Sequence, residues 1–492
     1  MQSPFPVTAR LLAAGGALAS AGVVLGMTKA GYGDVVDPPA GPFGWWQKAV
    51  PLVQGESDSV VAARWSLLAI LSVFAFALCF LGLYRLAGRG ALSMRKIVLV
   101  AVAWAIPVLL AHPLLSLDAY SYTAQGEMVV RGLDPYRVGP IALGFGPLLD
   151  AVAPVWRETP APYGPLTLAI LRWIALVTGG NQIAFVFVLR AVVIAAIAVC
   201  GFAAVRLARE SRKAVVLALV IANPVTIFHL AGGAHLEALI AACVGLTMLA
   251  VRAERWWWAA FIAATALALK LPGLVLIAFV LAARIGPRRE QRVAGVLGIG
   301  GIATAAMLAY AELVPHGWGW LGVLNVPGKA LLYYAPPTVL AEIVSGLAHL
   351  ADPALRFTTI LAWTRALCGL AGAIGVALLL LRARTEVRWQ RVAVLTGAAL
   401  AVLAVSGPAL HAWYLTWGLI PLAACAGSAG RRWVIGGLVA VSFTAMGKPL
   451  THGAGLALTL VLVVTAVAVA VVAARPEPAV ETTTEGPIPQ PA

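Results

Sequence analysis

The sequence predicts an all-α polytopic integral membrane protein, on three observations. Of its 492 residues 61% are hydrophobic and 11% charged, apolar stretches of spanning length recur along the chain, and the basic residues cluster between alternate stretches. A soluble chain carries about 25% charged residues. A bilayer core of about 30 Å takes a helix of roughly 20 apolar residues, because backbone groups in hydrocarbon must be hydrogen-bonded within their own segment.

Residues 8–27 and 62–84 are the first such stretches and define an N-terminal two-span region, 1–96. Further stretches follow at 97–115, 183–206, 213–230, 236–251, 293–313, 357–381, 392–408, 411–426, 433–446 and 454–474, inside a larger unit that runs from 97 to 474. Residues 475–492, rich in Pro, Thr and Glu, read as a disordered cytoplasmic tail. The first span serves as its own insertion signal, since no clear processing site precedes it.

Charge sets the orientation. Basic clusters at Arg85, Arg89, Arg95 and Lys96, at Arg206, Arg209, Arg212 and Lys213, at Arg284, Arg288, Arg289 and Arg292, at Arg382, Arg384, Arg388 and Arg391, and at Arg431 and Arg432 are placed on the cytoplasmic side. The stretch 28–61 has two Lys against four acids and 116–163 has three Arg against five acids, so both read as external. Residues 256–283 are too long for one span, and a single crossing would carry the Arg284 cluster outside. Breaking them at Lys270-Leu271-Pro272-Gly273 into two short helices returns every basic loop to the inside, with both termini cytoplasmic. The total is about 13 to 14 membrane-crossing or half-crossing helices, with one tilted helix over 256–283 as the alternative reading. The net charge of +15 then belongs mostly to the inside loops rather than to a nucleic-acid surface. The five Cys fall in apolar segments without paired spacing, which supports neither a disulfide framework nor a metal knuckle.

The chain stops looking like lipid filler in the external loop 112–182. Asp118 sits just beyond the third span, followed by Tyr120, Tyr122, Gln125 and Glu127. Gly132, Asp134, Pro135 and Tyr136 make a turn, in which Arg131 and Arg137 are the nearest cations. Pro160, Pro162, Tyr163, Gly164 and Pro165 make a second rigid bend before a helix of 166–179, which is too short to cross and is expected at the outer interface. Other polar residues gather on the same side: Asn223, Pro224 and His229, then His235 and Glu237 in GGAHLE, Lys270 at the break, Asn325, Lys329, Tyr333 and Tyr334, then His411, Trp413, Tyr414 and Trp417, and finally Lys448 and His452. Each has an ordinary explanation as well. Trp413 and Trp417 suit interface anchors, Lys448 suits snorkelling, and His235 with Glu237 suits a helix cap. Arg190 and Arg365 lie within spans, where a charge is costly unless it meets a cavity or a partner.

The segments LSLDAYSYTAQGEMVVRGLDPYRVGP (115–140) and WRETPAPYGPL (156–166) resemble the polyprenol-phosphomannose-dependent alpha-1,6-mannosyltransferases of actinobacteria, members of the glycosyltransferase C superfamily. AGGAHLEAL (231–239), ALKLPGL (268–274) and SGPALHAWYLTWGLIPL (406–422) support the resemblance. It implies a glycosyltransferase C-like fold and a catalytic transmembrane unit at 97–474. It further implies transfer of mannose from polyprenyl-phosphate mannose to the 6-hydroxyl of a lipid-anchored alpha-mannoside on the external face of the plasma membrane, with inversion, in lipomannan assembly. Asp118 matches the family's expected base. Candidate ligands of the donor phosphate or sugar are Arg131, Arg137, His235, Glu237, Lys270 and His411, with Tyr122, Asp134, Tyr163, Trp413 and Tyr414 in support or on the acceptor side. Leu236 stands where relatives often have Asn, and no Asp-x-Asp pair occurs at the external site, so no metal or other cofactor is expected. Membrane lipids, the lipid-linked donor and the mannan acceptor are the expected partners. A sister enzyme using arabinose or glucose, or a transporter of lipid-linked sugar, are the alternatives.

Overall fold

A computed structural model describes residues 7–32, 59–113, 115–284, 289–348, 356–444, 460–461, 463–465 and 467–469. Lys448, His452, Arg288, the tail 475–492 and most of the stretches 28–61 and 454–474 lie outside the described residues. Among the described residues the regular structure is helical. Six helices are long and apolar enough to cross a membrane. They are α1 (Val7–Met27), α2 (Ser59–Gly88), α6 (Gln182–Leu207), α11 (Arg289–Ala311), α13 (Phe357–Arg384) and α14 (Trp389–Ser406), numbered in chain order among the helices named below.

Between them stand shorter helices. α3 (Met94–Leu110) ends ahead of His112, α4 (Asp118–Val130) carries the first half of the external loop, and α5 (Pro165–Thr178) is the short helix expected after the second bend. α7 (Lys213–Ile221) is followed by a π-helical segment, Val225–Gly232, bent by 50° from the helical stretch before it, so residues 213–230 form one broken span. Asn223 and Pro224 make the bend. Pro224 has no N–H for the ladder, while the Asn223 side chain donates to the Leu219 carbonyl at 2.9 Å and accepts from the Thr226 N–H at 3.0 Å.

α8 (Glu237–Arg252) leads to the expected break, with α9 (Trp256–Leu269) and α10 (Gly273–Arg284) as two separate short helices. At about 1.5 Å per residue, 14 and 12 residues span about 21 and 18 Å, so their junction stops short of the far side of the core. α12 (Pro336–Ala348) lies in the loop between α11 and α13. One expectation changes at 411–426, which is no regular span. A 3-10 segment, Ala412–Gly418, precedes the short α15 (Leu419–Cys425), because the aromatic side chains of this stretch turn inward. The last helix in the main described part, α16, begins earlier than the hydropathy suggests, at Ser428–Val441. The expected total of about 13 to 14 counted these short pieces together with the full spans.

The chain order gives the molecule two poles. The start of α4, the end of the π-helical segment, the start of α8, the α9–α10 junction and the start of the 3-10 segment meet at one. The ends of α6, α8, α10 and α13, with their arginines, lie at the other.

Candidate active site

At the first pole, five chain segments deliver one polar cluster. Asp118 is the first residue of α4, and its own N–H bonds the Ser116 hydroxyl at 3.1 Å, which fixes the entry to the helix. The π-helical segment ends at Gly232, and Ala234 follows with a φ of 56°, a left-handed conformation that a residue with a Cβ rarely adopts. That kink turns His235 inward and starts α8 at Glu237. His235 is fully buried, with Nδ1 3.8 Å from Asp118 Oδ2 and 3.9 Å from Glu237 Oε2.

Lys270 is presented by the break between α9 and α10. The YGP bend holds that break. Gly164 N–H donates to the Leu269 carbonyl at 3.0 Å and the Thr167 hydroxyl donates to the same oxygen at 3.0 Å. A Cβ on Gly164 would stand 2.2 Å from the Ala268 carbonyl oxygen, so only glycine permits the approach. The Lys270 ammonium donates to Glu237 Oε1 at 2.7 Å and to the Tyr414 hydroxyl at 3.4 Å. It also sits 4.4 Å from the Tyr414 ring centre, 5.4 Å from that of Tyr163 and 5.8 Å from that of Trp417, an aromatic enclosure suited to a cation. Tyr122 meets Tyr163 edge to face, with ring centres 5.5 Å apart.

His411 and Trp413 complete the wall. The Trp413 ring stacks on two imidazoles, His235 at 3.6 Å and His411 at 4.5 Å, and Tyr414 stacks on Trp417 at 4.5 Å. Trp413 and Trp417 are 5% and 4% exposed, so they are wall residues and not interface anchors. His229, fully buried, faces Trp413 at 5.7 Å.

The electrostatics separate the two carboxylates. Glu237 is paired directly to Lys270. Asp118 has no cation at hydrogen-bonding distance among the described residues, and its side chain is 20% exposed. Burial first, and the nearby Glu237 charge second, push the Asp118 carboxyl up to about 6 against the opposing influence of Lys270 and the Ser116 hydroxyl. Burial, reinforced by His229, His411 and Lys270, holds His235 well below its ordinary range. Burial, with Lys270 and His229, brings His411 down to about 3. Both imidazoles are therefore neutral at pH 7 and act as N–H donors or lone-pair acceptors. Both ring nitrogens of His229 and of His235, and Glu237 Oε2, are buried without a hydrogen-bond partner among the described residues. Buried polar atoms call for partners, and the hydroxyls of a sugar could supply them.

The structure thus brings Asp118, Tyr122, Tyr163, His235, Glu237, Lys270, His411, Trp413 and Tyr414 together. It does not bring Arg131, Arg137 or Asp134 to them. Helix α4 carries Arg131 about 20 Å from Asp118, 13 residues at 1.5 Å each, and there Arg131 Nε bonds Glu127 at 2.8 Å. Arg137 is exposed on the loop. Asp134 accepts the Tyr136 N–H at 2.9 Å, the side-chain-to-backbone bond of a turn, and its other oxygen lies 3.8 Å from His316.

Both arginines within spans are satisfied by backbone. Arg190 donates to the carbonyls of Leu109 and Ala111 at 2.7 Å each and of Gly232 at 2.6 Å, tying the end of α3 to the end of the π-helical segment. It thereby positions the chain leading to Asp118 against the chain leading to His235. Arg365 holds the carbonyls of Gly328 and Ala330 at 2.6 and 2.8 Å. This leaves Lys329, exposed, on a turn whose Gly328 adjoins Pro408, three residues before His411. Ser116 carries no signal in the sequence, and Arg190 carries one without a role. The only signal for Arg190 was its charge inside an apolar helix.

A family model described as "Alpha-(1->6)-mannopyranosyltransferase, N-terminal domain" matches residues 13–286, and one described as "MptB C-terminal domain" matches residues 337–476. A probable alpha-(1->6)-mannopyranosyltransferase of Mycolicibacterium smegmatis is 34% identical over 413 residues, 73% of this chain and 70% of that protein. Alpha-(1->6)-mannopyranosyltransferase A of Mycobacterium tuberculosis is 30% identical over 75% of this chain and 72% of its own length. Alpha-(1->6)-mannopyranosyltransferase B of Corynebacterium glutamicum is 29% identical over 66% of this chain and 58% of its own. No solved structure matches the chain.

Proposed function

The chain belongs to the alpha-(1->6)-mannopyranosyltransferase family, and on that premise we propose that it transfers mannose from polyprenyl-phosphate mannose, with inversion, to the 6-hydroxyl of a lipid-anchored alpha-mannoside. As a member of that family it is a multi-pass membrane glycosyltransferase that makes an alpha-1,6 linkage. The finer reading is carried by one observation: of the two carboxylates in the cluster, Glu237 is paired to Lys270 while Asp118 has no cation at hydrogen-bonding distance among the described residues.

Asp118 takes the proton of the acceptor 6-hydroxyl as that oxygen forms its bond to the anomeric carbon. The bond from that carbon to the phosphate oxygen breaks, and its electron pair leaves with the polyprenyl phosphate. The leaving group needs no protonation, so one base suffices. A carboxyl near 6 is a better match to neutral pH than an ordinary Asp, since a base works best with a pKa near the operating pH. Lys270, with the N–H groups of neutral His235 and His411, is assigned to the phosphate and sugar, and Lys329, exposed on the turn beside Pro408, is a further cation available to them. In this reading protein side chains fill the role that a divalent ion could otherwise play.

The arginine-rich pole is assigned to the cytoplasm and the Asp118 pole to the external face of the plasma membrane, with both termini inside. The test is product analysis. Purified enzyme is given polyprenyl-phosphate mannose, arabinose or glucose with an alpha-mannoside acceptor, and the products are analysed for linkage. The expected result is a new alpha-1,6 mannosidic bond with one polyprenyl phosphate released per bond. A preference for arabinose or glucose would move the donor assignment to a sister enzyme, and movement of intact lipid-linked sugar across vesicles without a new bond would make the chain a transporter.

A further inference from the structure

A second polar site stands at the opposite ends of α8 and α9. The last turn of α6, the start of α7, the end of α8 and the start of α9 enclose a cavity of 880 Å³ lined by Arg206, Arg209, Lys213, Arg252 and Arg255. One acid, Glu210, shares the lining, and it pairs with Lys213. The rim is aromatic: Phe202 and Trp258 are 57% and 59% exposed. Cations at helix ends on a cytoplasmic face are ordinary, Arg206 suits the carbonyl end of α6, and one N–H of Arg252 donates to the Arg206 carbonyl there while its guanidinium lies 5.1 Å from the Trp389 ring centre. None of these requires the cations to converge on one hollow, and none accounts for what adjoins it.

What adjoins it is an apolar groove of 500 Å³ between α3 and α6, floored by Leu217 and Ile221 of α7 and by Ile227. Phe202 and Arg206 line both spaces, so the groove meets the basic cavity at these two residues on the last turns of α6. Along α6 it runs from Arg206 to Ile194, which at 1.5 Å per residue is about 18 Å, slightly more than half of a 30 Å core. That is the depth of one leaflet. A charged hollow beside a one-leaflet apolar groove, the two sharing Phe202 and Arg206 as a common edge, has the outline of a single phospholipid.

We propose that this pole is a binding site for an anionic glycerophospholipid, its phosphate held by Arg206, Arg209, Arg252 and Arg255 and one acyl chain laid in the groove between α3 and α6. Basic pockets between spans recognise lipid head groups in this way, and arginine forks match phosphate oxygens two at a time. A soluble phosphate would satisfy the cavity and leave the groove exposed, whereas a lipid covers both. The site lies about 22 Å from Glu237 along α8, so it is separate from the Asp118 cluster and does not rest on the activity assigned to it.

The test uses the full chain in neutral detergent with phosphatidylglycerol, phosphatidylcholine or inorganic phosphate added, read by native mass spectrometry and by the unfolding temperature. The expected result is one retained phosphatidylglycerol per chain and a raised unfolding temperature. Phosphatidylcholine binds at least about fivefold more weakly, and inorganic phosphate has no effect at equal concentration. The double variant Arg209→Gln with Arg255→Gln should lose about 25-fold in phosphatidylglycerol binding, at about fivefold per basic residue. Ala198→Trp, on the exposed groove wall of α6 and away from every cation, keeps the charges and keeps the fold if the double variant does not. It should weaken binding of long-chain phosphatidylglycerol by at least about tenfold. Equal binding of the two lipids, or unchanged binding by Ala198→Trp, overturns the proposal. Inorganic phosphate that displaces the lipid at equal concentration shows a soluble-anion site and overturns it as well.

Discussion

The two poles of this molecule hold charge in opposite ways. At the Asp118 pole the charged groups are nearly out of water: Glu237 is 1% and Lys270 8% exposed, each fixed by the other, and the histidines beside them are kept neutral by burial. At the arginine pole the cations stand around an open hollow, several per acid. A buried ion pair is intolerant of losing one partner, whereas an exposed pair contributes little. The first pole is therefore built to fix a geometry and the second to set a potential, so single substitutions should divide cleanly between them.

The largest expected effect is that of Asp118→Asn, which keeps size and removes the proton acceptor. Turnover under saturating donor and acceptor should fall at least about 100-fold with donor binding retained. Near-normal turnover would move the base to Glu237. Next comes pH. Because the raised carboxyl must be ionised to act, turnover should be flat above about pH 7 and fall about tenfold per unit below pH 6, the acid limb tracking Asp118. Glu237→Gln removes a charge that raises this carboxyl and should move the limb to lower pH. Lys270→Met removes one that lowers it and should move the limb to higher pH. Limbs that stay put in both variants would detach the profile from this cluster.

A smaller effect is expected of Gly164→Ala. Its Cβ meets the Ala268 carbonyl oxygen, so the junction bearing Lys270 must shift, at a cost of about 1 to 3 kcal/mol visible in the unfolding temperature and as a several-fold loss of turnover. The smallest is Arg131→Gln. An exposed helix pair contributes about 0.3 to 0.5 kcal/mol, and turnover should change less than about twofold. A large loss there would reinstate Arg131 as a phosphate ligand and blur the division between buried and exposed charge.

How much of this was legible in the sequence depended on whether the governing physics is local. Hydropathy and the alternation of basic loops are local, and they gave the helical membrane architecture, the break at Lys270 and the short helix after Pro165. Asp118 stood out because a span end and a turn bracket it. The Glu237–Lys270 pair was not legible, since the two residues meet only because the start of one helix docks on the end of another. Proximity along the chain also misled: Arg131 and Arg137 are near Asp118 in sequence, and α4 carries them away. Trp413 and Trp417 read as interface anchors because a tryptophan at a span end has the same sequence signature whether it faces lipid or a cavity. The 3-10 winding that turns them inward leaves no mark in hydropathy.

The contacts that assemble the Asp118 pole also set an order for its biogenesis. Thr167 waits for Leu269 across 102 residues, and Lys270 waits for Tyr414 across 144. At about 5 to 20 residues per second of synthesis, Lys270 would precede its Tyr414 partner by about 7 to 29 s. Glu237 is separated from Lys270 by only 33 residues, an interval of about 2 to 7 s. In order of synthesis the acid precedes its cation by a short interval, while the aromatic wall follows much later. A nascent chain stalled between residues 270 and 411 would thus carry a neutralised ion pair with one side of its enclosure missing. That interval is where a membrane chaperone or a quality-control protease would find the half-built pole open.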